Sequence, residues 1–284
     1  MPKVDLHLHS LVSDGRFSPA EVVQKSAGAE LTLISLTDHD NVDGIAPALE
    51  EAKNFPFLRV IPGVEISTDV PDGEVHVLGY FIDYNHEELL AALKKMRQSR
   101  QGRAQEMVNN LTNLGLPIEW QRVREIAGSG SIGRPHIAQA LLEKGYITTF
   151  NEAFTRYIGW GGPAYVKREK MTPAEAAELI LRAEGLPVLA HPLTVNDPEA
   201  LIAGLKESGL AGLEAYYKDY TTEDTRRLVR LAAKYGMMVT SGSDYHGLDD
   251  STETMIGDAG APVEVAERLI ALAEQKMLKT VDPK

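Results

Sequence analysis

The sequence contains no cysteine. This absence excludes disulfide bonds, iron–sulfur clusters, thiolate zinc sites and cysteine nucleophiles. The sequence also has no apolar run near the roughly 20 residues that cross a bilayer. Its first residues, MPKVDLHLHS, lack the basic and apolar regions of a secretory signal. We therefore expect a cytoplasmic protein that has no membrane partner.

Basic residues are outnumbered, with 29 Lys and Arg against 41 Asp and Glu, so the formal net charge is −12. Long nucleic acid usually binds to a basic face that displaces counterions from phosphates. We therefore expect no long duplex nucleic acid as a partner. A small phosphorylated ligand stays compatible with this charge, because bound metal cations would supply positive charge at a local pocket. The sequence gives no signal for an oligomeric state.

Strand-like apolar runs alternate with helical patterns over most of the 284 residues. The seven runs are VDLHL (4–8), LTLISLT (31–37), FLRVIPGVEIS (57–67), VHVLGYFI (75–82), LPVLAHP (186–192), LAGLEAYY (210–217) and MMVTSGSDYHG (237–247). Helical patterns lie near 19–30, 43–53, 173–184, 198–208 and 222–235. This alternation is typical of right-handed βαβ units and a parallel sheet. We predict an α/β fold with an irregular (β/α)7 barrel.

The middle of the chain breaks this alternation. Between about 97 and 168, four segments have the periodicity of short helices and end at glycines, and no strand pattern separates them. We predict an all-helical insertion at 97–168 that caps the mouth of the barrel. The barrel itself would consist of residues 1–96 and 169–284.

Side chains that bind metals cluster where the predicted strands end. His7 and His9 lie two residues apart on a strand, so both imidazoles point to the same side. Further candidates near other strand ends are Asp14, His39, Glu65, His76, His191, Asp244 and His246. Histidines and carboxylates on one face of a barrel mark a site. Mixed imidazole and oxygen ligands without thiolate suit Mn²⁺, Fe²⁺ or Zn²⁺.

A single histidine of this kind is as compatible with a hydrogen-bonded core residue as with a ligand. Six of the eight histidines, however, lie in predicted strands or at their edges. Polar, titratable residues are uncommon there, so the group as a whole favours a site. His86 is the contrast, because it lies among charged residues near a predicted helix start and is interpreted as a surface residue.

The sequence resembles the polymerase-and-histidinol-phosphatase (PHP) family. Its motifs appear here in order as His7-Leu8-His9, Thr37-Asp38-His39-Asp40, His191 and Asp244-Tyr245-His246, and they span nearly the whole chain. The resemblance implies three metal positions. His7, His9, Glu65 and Asp244 would hold the first; Asp14, His39 and His246 the second; Glu65, as a bridge, with His76 and His191 the third. We expect two or three divalent ions, with Mn²⁺ ranked first because oxygen ligands are plentiful.

The resemblance also implies a mechanism. Metals about 3.5–4 Å apart can share a water and lower its pKa toward neutrality. We therefore expect a hydroxide between the metals to be the nucleophile, so that no serine nucleophile is needed. Ser10, Ser13 and Ser243 would then be hydrogen-bonding partners of the ligands, and Asp38 would orient a ligand or its backbone. The general acid is left open between Asp40 and His136, each of which suits a structural role equally well.

Basic residues of the predicted insertion indicate where a second phosphate would bind. Arg134 and His136 lie at the start of a helix, where free N–H groups and the helix dipole favour an anion. Lys167 and Arg168 follow where the barrel resumes. Arg103, like Arg100, is a weaker candidate, because a helix normally presents such residues to water. A solvated charged rim is the alternative interpretation.

Four segments, GVEIS, GRPHIA, AYVKRE and VLAHP, resemble the branch of nucleoside 3′,5′-bisphosphate phosphatases, which also trim short RNA from its 5′ end. This resemblance implies removal of a 3′-phosphate from a 5′-phosphorylated nucleotide, with a nucleoside 5′-monophosphate as product. The expected partner is therefore a small phosphorylated nucleotide or short RNA. Tyr216 or Tyr217 could stack on a base, with core packing as the alternative, and Glu214 could face the site.

Three other functions fit parts of the pattern. A histidinol-phosphate phosphatase of the same family would use the same metals, but its substrate has no second phosphate for Arg134 and His136. A polymerase-associated module normally lies within a much larger chain. A non-catalytic metal-binding domain predicts missing ligands, and all nine expected ligands are present.

Overall fold

The computed structural model describes residues 3–70, 73–128, 130–167, 171–248, 255–268, 271, 272 and 275. In these residues a seven-stranded sheet forms, and the strands lie side by side in chain order. The strands are β1 (Val4–Leu8), β2 (Leu33–Leu36), β3 (Arg59–Val70), β4 (Gly73–Tyr80), β5 (Leu186–Leu189), β6 (Gly212–Tyr217) and β7 (Met238–Gly242).

The sheet curves into a nearly closed barrel. Leu8, at the end of β1, forms an isolated parallel bridge with Tyr245, just beyond β7. The His9 N–H donates to the Tyr245 carbonyl over 3.0 Å. The first and last strands therefore meet, and the predicted α/β fold with a seven-stranded barrel is confirmed.

The prediction of a parallel sheet throughout was wrong for one strand, because β4 runs antiparallel to both β3 and β5. Only two residues separate Val70 from Gly73. A parallel connection needs a dozen or more residues, whereas a hairpin can be this short. As a result the first half of β4 lies beside the second half of β3, and His76 pairs with Ser67. His76 therefore reaches the rim formed by the carboxyl ends of the other strands.

The helices begin where capping residues allow them to. Ser18 and Glu21 form a capping box at the first helix, and Thr172 and Glu175 form another at the seventh. The helices are α1 (Pro19–Gly28), α2 (Ile45–Ala52), α3 (Glu87–Asn113), α4 (Trp120–Ala127), α5 (Arg134–Glu143), α6 (Phe150–Ala153), α7 (Pro173–Arg182), α8 (Pro198–Leu205) and α9 (Thr222–Tyr235). His86 is the N-cap of α3, which fits its interpretation as a residue near a helix start. No helix among the described residues combines the length and apolarity that crossing a membrane would require.

Helix α3 joins two hydrophobic clusters. Leu89 and Leu93, in its first half, pack with β3, β4 and α7. Met107 and Leu111, in its second half, pack in a separate cluster with α4, α5 and α6. The predicted boundary at residue 97 falls inside this continuous helix, and the division of the chain at that point stays a prediction.

Candidate metal centre

The carboxylate of Glu65 lies at the centre of a group of histidines at the barrel rim. Glu65 is completely buried on β3. Its Oε2 atom lies 3.3 Å from His7 Nε2, 3.3 Å from His9 Nε2 and 2.9 Å from His39 Nδ1, and its Oε1 atom lies 2.7 Å from His76 Nδ1 and 3.2 Å from His191 Nε2. Five imidazoles that are far apart in the sequence therefore surround one carboxylate.

The remaining predicted ligands lie beside this group. The Oδ1 atom of Asp244 is 3.1 Å from His9 Nε2 and 3.4 Å from His7 Nε2. The Oδ1 atom of Asp14 is 3.4 Å from His246 Nε2. All nine side chains expected as ligands are thus brought together at one rim.

Three overlapping sets of these side chains have ligand atoms within 4.8 Å of one another: His7, His9, Glu65 and Asp244; His9, Asp14, His39 and His246; and His39, Glu65 and His76. The first set is the one expected for the first metal position. The second adds His9 to the expected residues, and the third contains His39 where His191 was expected. These sets could hold metal ions, while the assignment of each residue to one ion stays a prediction.

The buried atoms of the cluster fit a cation. Several of them lie within ion-pair distance of one another but have no hydrogen-bond partner among the described residues. They are His7 Nε2, both ring nitrogens of His9, Asp14 Oδ1, His39 Nδ1, Glu65 Oε2 and His191 Nδ1. Unpaired buried polar atoms are costly, and converging lone pairs of imidazole and carboxylate are the donor set of a divalent transition ion. The residues present therefore fit bound metal.

The electrostatics of the cluster favour positive charge. Burial opposes protonation of His9, but Asp244 and Glu65 raise its pKa to about 10. Burial likewise opposes ionisation of Glu65, but the neighbouring histidines, first His39, hold its pKa well below the usual range. Burial lowers the pKa of His76 to about 4, so this ring is neutral and keeps a lone pair for a ligand bond. The carboxylates that stabilise an imidazolium would also stabilise a metal cation.

Glu214 contacts two of the predicted ligands, and the sequence did not establish this position. It is completely buried on β6. Its Oε1 atom lies 2.9 Å from His7 Nδ1, and its Oε2 atom accepts the His191 N–H over 2.8 Å. A carboxylate in this position fixes the tautomer of His7 so that Nε2 faces the cluster. The signal in the sequence is one acidic residue inside the apolar run LAGLEAYY.

Replacing Glu214 with glutamine is expected to lower metal affinity or activity by about 10- to 100-fold, the usual effect of a lost outer partner of a ligating histidine. Titration of the metal-free protein with Mn²⁺, followed by isothermal calorimetry, measures this change. The matched control is Glu143→Gln, which removes a carboxylate from the exposed face of α5. Equal affinities in the two variants would contradict the orienting role of Glu214.

Tyr217 and Lys218 reach the cluster from the end of β6. The Tyr217 hydroxyl donates to Asp244 Oδ2 over 2.9 Å, and the Lys218 ammonium lies 3.2 Å from the same oxygen. The Tyr217 ring also packs 5.6 Å from that of His191. Tyr216, by contrast, packs against a hydrophobic cluster of the barrel. Of the two tyrosines considered for base stacking, Tyr217 therefore faces the site and holds a predicted ligand.

Asp38 fixes the loop that carries Asp14. Its carboxylate accepts the Ser10 N–H over 2.8 Å, the Ser10 hydroxyl over 2.7 Å and the Ser13 hydroxyl over 2.6 Å. These serines therefore bind Asp38 rather than a ligand side chain. The Ser243 N–H donates to Asp5 over 3.0 Å, below the cluster.

The structure argues against Asp40 as the general acid. Asp40 is fully buried, its Oδ1 atom accepts the Ser67 N–H over 2.9 Å and its Oδ2 atom lies 2.5 Å from Arg100 Nε. A carboxylate held by a guanidinium is ionised and has no proton to give. His136 differs, because its Nδ1 atom accepts the Gly133 N–H over 2.9 Å and burial lowers its pKa. It is therefore neutral, with its proton on Nε2, and stays the candidate.

A cavity of about 160 Å³ opens beside the cluster. Arg100, Arg103 and Arg134 line it, together with Asp14, His39, His76 and His246 of the cluster. The Arg103 and Arg134 guanidiniums both contact the carboxylate of Glu74, which offsets their mutual repulsion. Arg100 was expected to face water as part of a helix, but it lies on the face of α3 that packs on the barrel.

The other predicted substrate residues lie elsewhere. His136 is buried at the start of α5, where it lines a second cavity and not the one that Arg100, Arg103 and Arg134 line. Lys167 is exposed. Arg168 lies outside the described residues, so its role stays a prediction.

Comparison with known proteins places this site in a family. A family model described as PHP domain matches residues 5–157. The chain is 34% identical over 248 residues to a 5′-3′ exoribonuclease of Haemophilus influenzae, which covers 86% of this chain and 90% of that protein. It is 32% identical over 253 residues to a 3′,5′-nucleoside bisphosphate phosphatase of Chromobacterium violaceum, which covers 87% of this chain and 88% of that protein.

A solved structure is similar over nearly the whole length. It is that of a candidate metal-dependent phosphoesterase from Bifidobacterium adolescentis, with a TM-score of 0.85 and 26% sequence identity. The match covers 95% of this chain and 96% of that chain. The fold of this chain is therefore similar to that structure over nearly its whole length.

Proposed function

Since this chain belongs to the PHP-domain family and is a hydrolase of phosphoric ester bonds, we propose that it removes the 3′-phosphate from nucleoside 3′,5′-bisphosphates. The products are a nucleoside 5′-monophosphate and phosphate. The same bond, between phosphorus and the 3′ oxygen, is cut when short 5′-phosphorylated RNA is trimmed. We propose that the chain does this as well, because the named relatives include both kinds of enzyme.

The observation that carries this proposal is the shared cavity. Its wall combines predicted metal ligands, such as His39 and His76, with the guanidiniums of Arg103 and Arg134. Metal ions attract one phosphate, and guanidiniums match the geometry of another. A molecule with phosphates at both ends of a ribose would satisfy both groups at once. Histidinol phosphate has a single phosphate, so it would leave Arg103 and Arg134 paired with Glu74 and without a phosphate to bind.

Two or three divalent ions, with Mn²⁺ as our first choice, would supply an activated water and neutralise phosphate oxygens when bound. The side chains around Glu65 would hold them, and Glu214 and Asp38 would keep His7 and the Asp14 loop in place.

His136 would donate a proton to the leaving 3′ oxygen or to a water beside it. Arg103 and Arg134 would fix the 5′-phosphate and so position the ribose.

A phosphate-release assay with Mn²⁺ tests the proposal. The substrates are adenosine 3′,5′-bisphosphate, histidinol phosphate and a short 5′-phosphorylated RNA. We expect the bisphosphate to be hydrolysed with the highest kcat/KM and AMP to be its nucleoside product. Turnover of histidinol phosphate without turnover of the bisphosphate would show that the substrate assignment is wrong.

Replacing Arg134 with methionine is expected to lower kcat/KM for adenosine 3′,5′-bisphosphate by about 30-fold, because a hydrogen bond to a charged group contributes about 2 kcal/mol. Adenosine 3′-monophosphate lacks the 5′-phosphate, so its slower hydrolysis should change little in the same variant. The comparison of the two substrates separates phosphate binding from a general defect.

The control variant for this measurement is Arg122→Met. Arg122 is an exposed arginine that pairs with Glu125 and Glu143 on the outer face of α4 and α5. We expect it to hydrolyse both substrates as the unmodified protein does. Equal losses for both substrates in the Arg134 variant would argue against a 5′-phosphate contact at that residue.

A further inference from the structure

A second cavity, of about 600 Å³, lies beside the first. Its walls come from the loop after β1, the end of α4, the first turns of α5 and the start of α6. Its volume lies within the range of roughly 300–1,000 Å³ that is usual for small-molecule sites. The function proposed above takes Asp14 and His136 from its walls but places no part of the bisphosphate inside it.

The two cavities share part of their walls next to the metal cluster. Asp14, a predicted metal ligand, lines both of them, and so does Pro135. The first turn of α5 therefore stands between the cavities. Arg134 faces the first cavity, whereas His136 and Gln139 face the second. A phosphate held at the cluster would lie where both cavities end.

The second cavity offers the groups that bind a nucleoside. The ring of Phe150 supplies a surface for stacking, and base–aromatic stacking tolerates every base. The Arg16 guanidinium can stack on a base or contact a phosphate, and the Gln139 amide can both donate and accept. Leu11 and Leu248 also line the cavity and are 38% and 42% exposed, so the cavity presents unburied apolar surface next to these polar groups.

We propose that this second cavity binds the nucleotide that follows the scissile phosphate in an RNA strand. The inference rests on the proposed function, since it requires a 5′-phosphorylated first nucleotide in the first cavity. In a bisphosphate the scissile phosphate carries only oxygen atoms beyond the ribose. In RNA the same phosphate carries a second nucleoside, and this nucleoside needs space beyond the cluster. A separate cavity that ends at Asp14 provides that space.

The bond changes are the same for both substrates. An oxygen atom from water forms a bond to phosphorus, the bond between phosphorus and the 3′ oxygen of the first nucleotide breaks, and that oxygen takes a proton. The second nucleotide keeps the phosphate and becomes a new 5′-monophosphate end. This end has the chemistry that Arg103 and Arg134 are proposed to bind, so the strand can move from the second cavity to the first and be trimmed again.

Two variants of the second cavity test the inference, Arg16→Gln and Phe150→Leu. For each, kcat/KM is measured for adenosine 3′,5′-bisphosphate and for a 5′-phosphorylated tetraribonucleotide. We expect the ratio of RNA to bisphosphate activity to fall about tenfold, the effect of losing a base–aromatic stack in Phe150→Leu and a contact of a charged group in Arg16→Gln. Arg156→Gln is the matched control, because Arg156 is an exposed arginine of the helical region that pairs with Glu152. Thermal melting shows that each variant is folded.

The possible outcomes separate the inference from the proposed function. An unchanged ratio in both folded variants would overturn the inference. A proportional loss for both substrates would place the base of the first nucleotide in this cavity and would also overturn it. Hydrolysis of the bisphosphate without cleavage of RNA by the unmodified protein would overturn the inference and leave the proposed function standing. Hydrolysis of neither substrate would overturn both.

Discussion

Replacing Glu65 with glutamine is expected to lower kcat/KM by at least about a thousandfold, or about 4 kcal/mol of transition-state stabilisation. Glu65 contacts all five imidazoles at the centre of the cluster. A neutral amide of the same shape keeps the packing but removes the charge that would bridge the ions. Steady-state kinetics with saturating Mn²⁺, together with the metal content of the purified protein, measure the effect.

Glu125→Gln is the control for this experiment, since Glu125 lies on α4 and pairs with Arg122 at the surface. The control protein should retain its metal and its activity. A Glu65 variant that keeps its full complement of ions and hydrolyses substrate at a normal rate would contradict the central position of this carboxylate. Loss of ions with retained activity would contradict metal-dependent hydrolysis in this chain.

Removal of the ions by a chelator is expected to abolish hydrolysis and to lower the Tm by about 5–10 °C. An ion present at a hundredfold excess over its Kd stabilises the folded state by about 2.7 kcal/mol, and about 1 kcal/mol shifts the Tm of a chain of this size by roughly 2–4 °C. In the metal-free protein the buried atoms of His7, His9 and Glu65 would lack partners, and this accounts for the lower Tm.

Differential scanning fluorimetry of chelator-treated protein, with and without added Mn²⁺, measures this shift. The Glu65→Gln variant serves as the comparison, because its Tm should respond much less to the ion. A chelator-treated protein with an unchanged Tm and normal activity would be incompatible with a resident metal cluster. Restoration of both properties by Mn²⁺ is the expected result.

The sequence predicted the barrel because alternating apolar runs and helices leave few other arrangements. It also predicted which side chains gather at the rim, because His7 lies near the end of an apolar run and His39 and Asp244 follow such runs. Strand direction was harder to predict. The residues of β4 have the same apolar pattern in either direction, and only the turn sequence Pro-Asp-Gly at 71–73 indicates a hairpin.

The residues that the sequence could not place depend on partners far away in the chain. Glu214 becomes an orienting carboxylate only because β6 brings it to His7, which lies 207 residues earlier. Arg100 was ranked low because its position on the helix does not reveal which face packs on the barrel. The sequence left Asp40 open as the general acid, because the ion pair that binds this carboxylate to Arg100 joins residues 60 positions apart. Contacts between residues so far apart leave no recognisable pattern in the local sequence.

The length of helix α3 has a consequence for the geometry of the first cavity. Its 27 residues extend from the barrel wall to the helical region, and an α-helix resists bending over such a length. Arg97 on this helix donates to the Asp40 carbonyl, next to His39, and Arg103 lies about 1.7 turns further along the helix. A tilt of α3 would therefore move the loop that carries His39 together with the guanidinium of Arg103. One continuous helix therefore sets the distance between the His39 loop and the Arg103 guanidinium, and this distance would match the separation of the two phosphates in the proposed substrate.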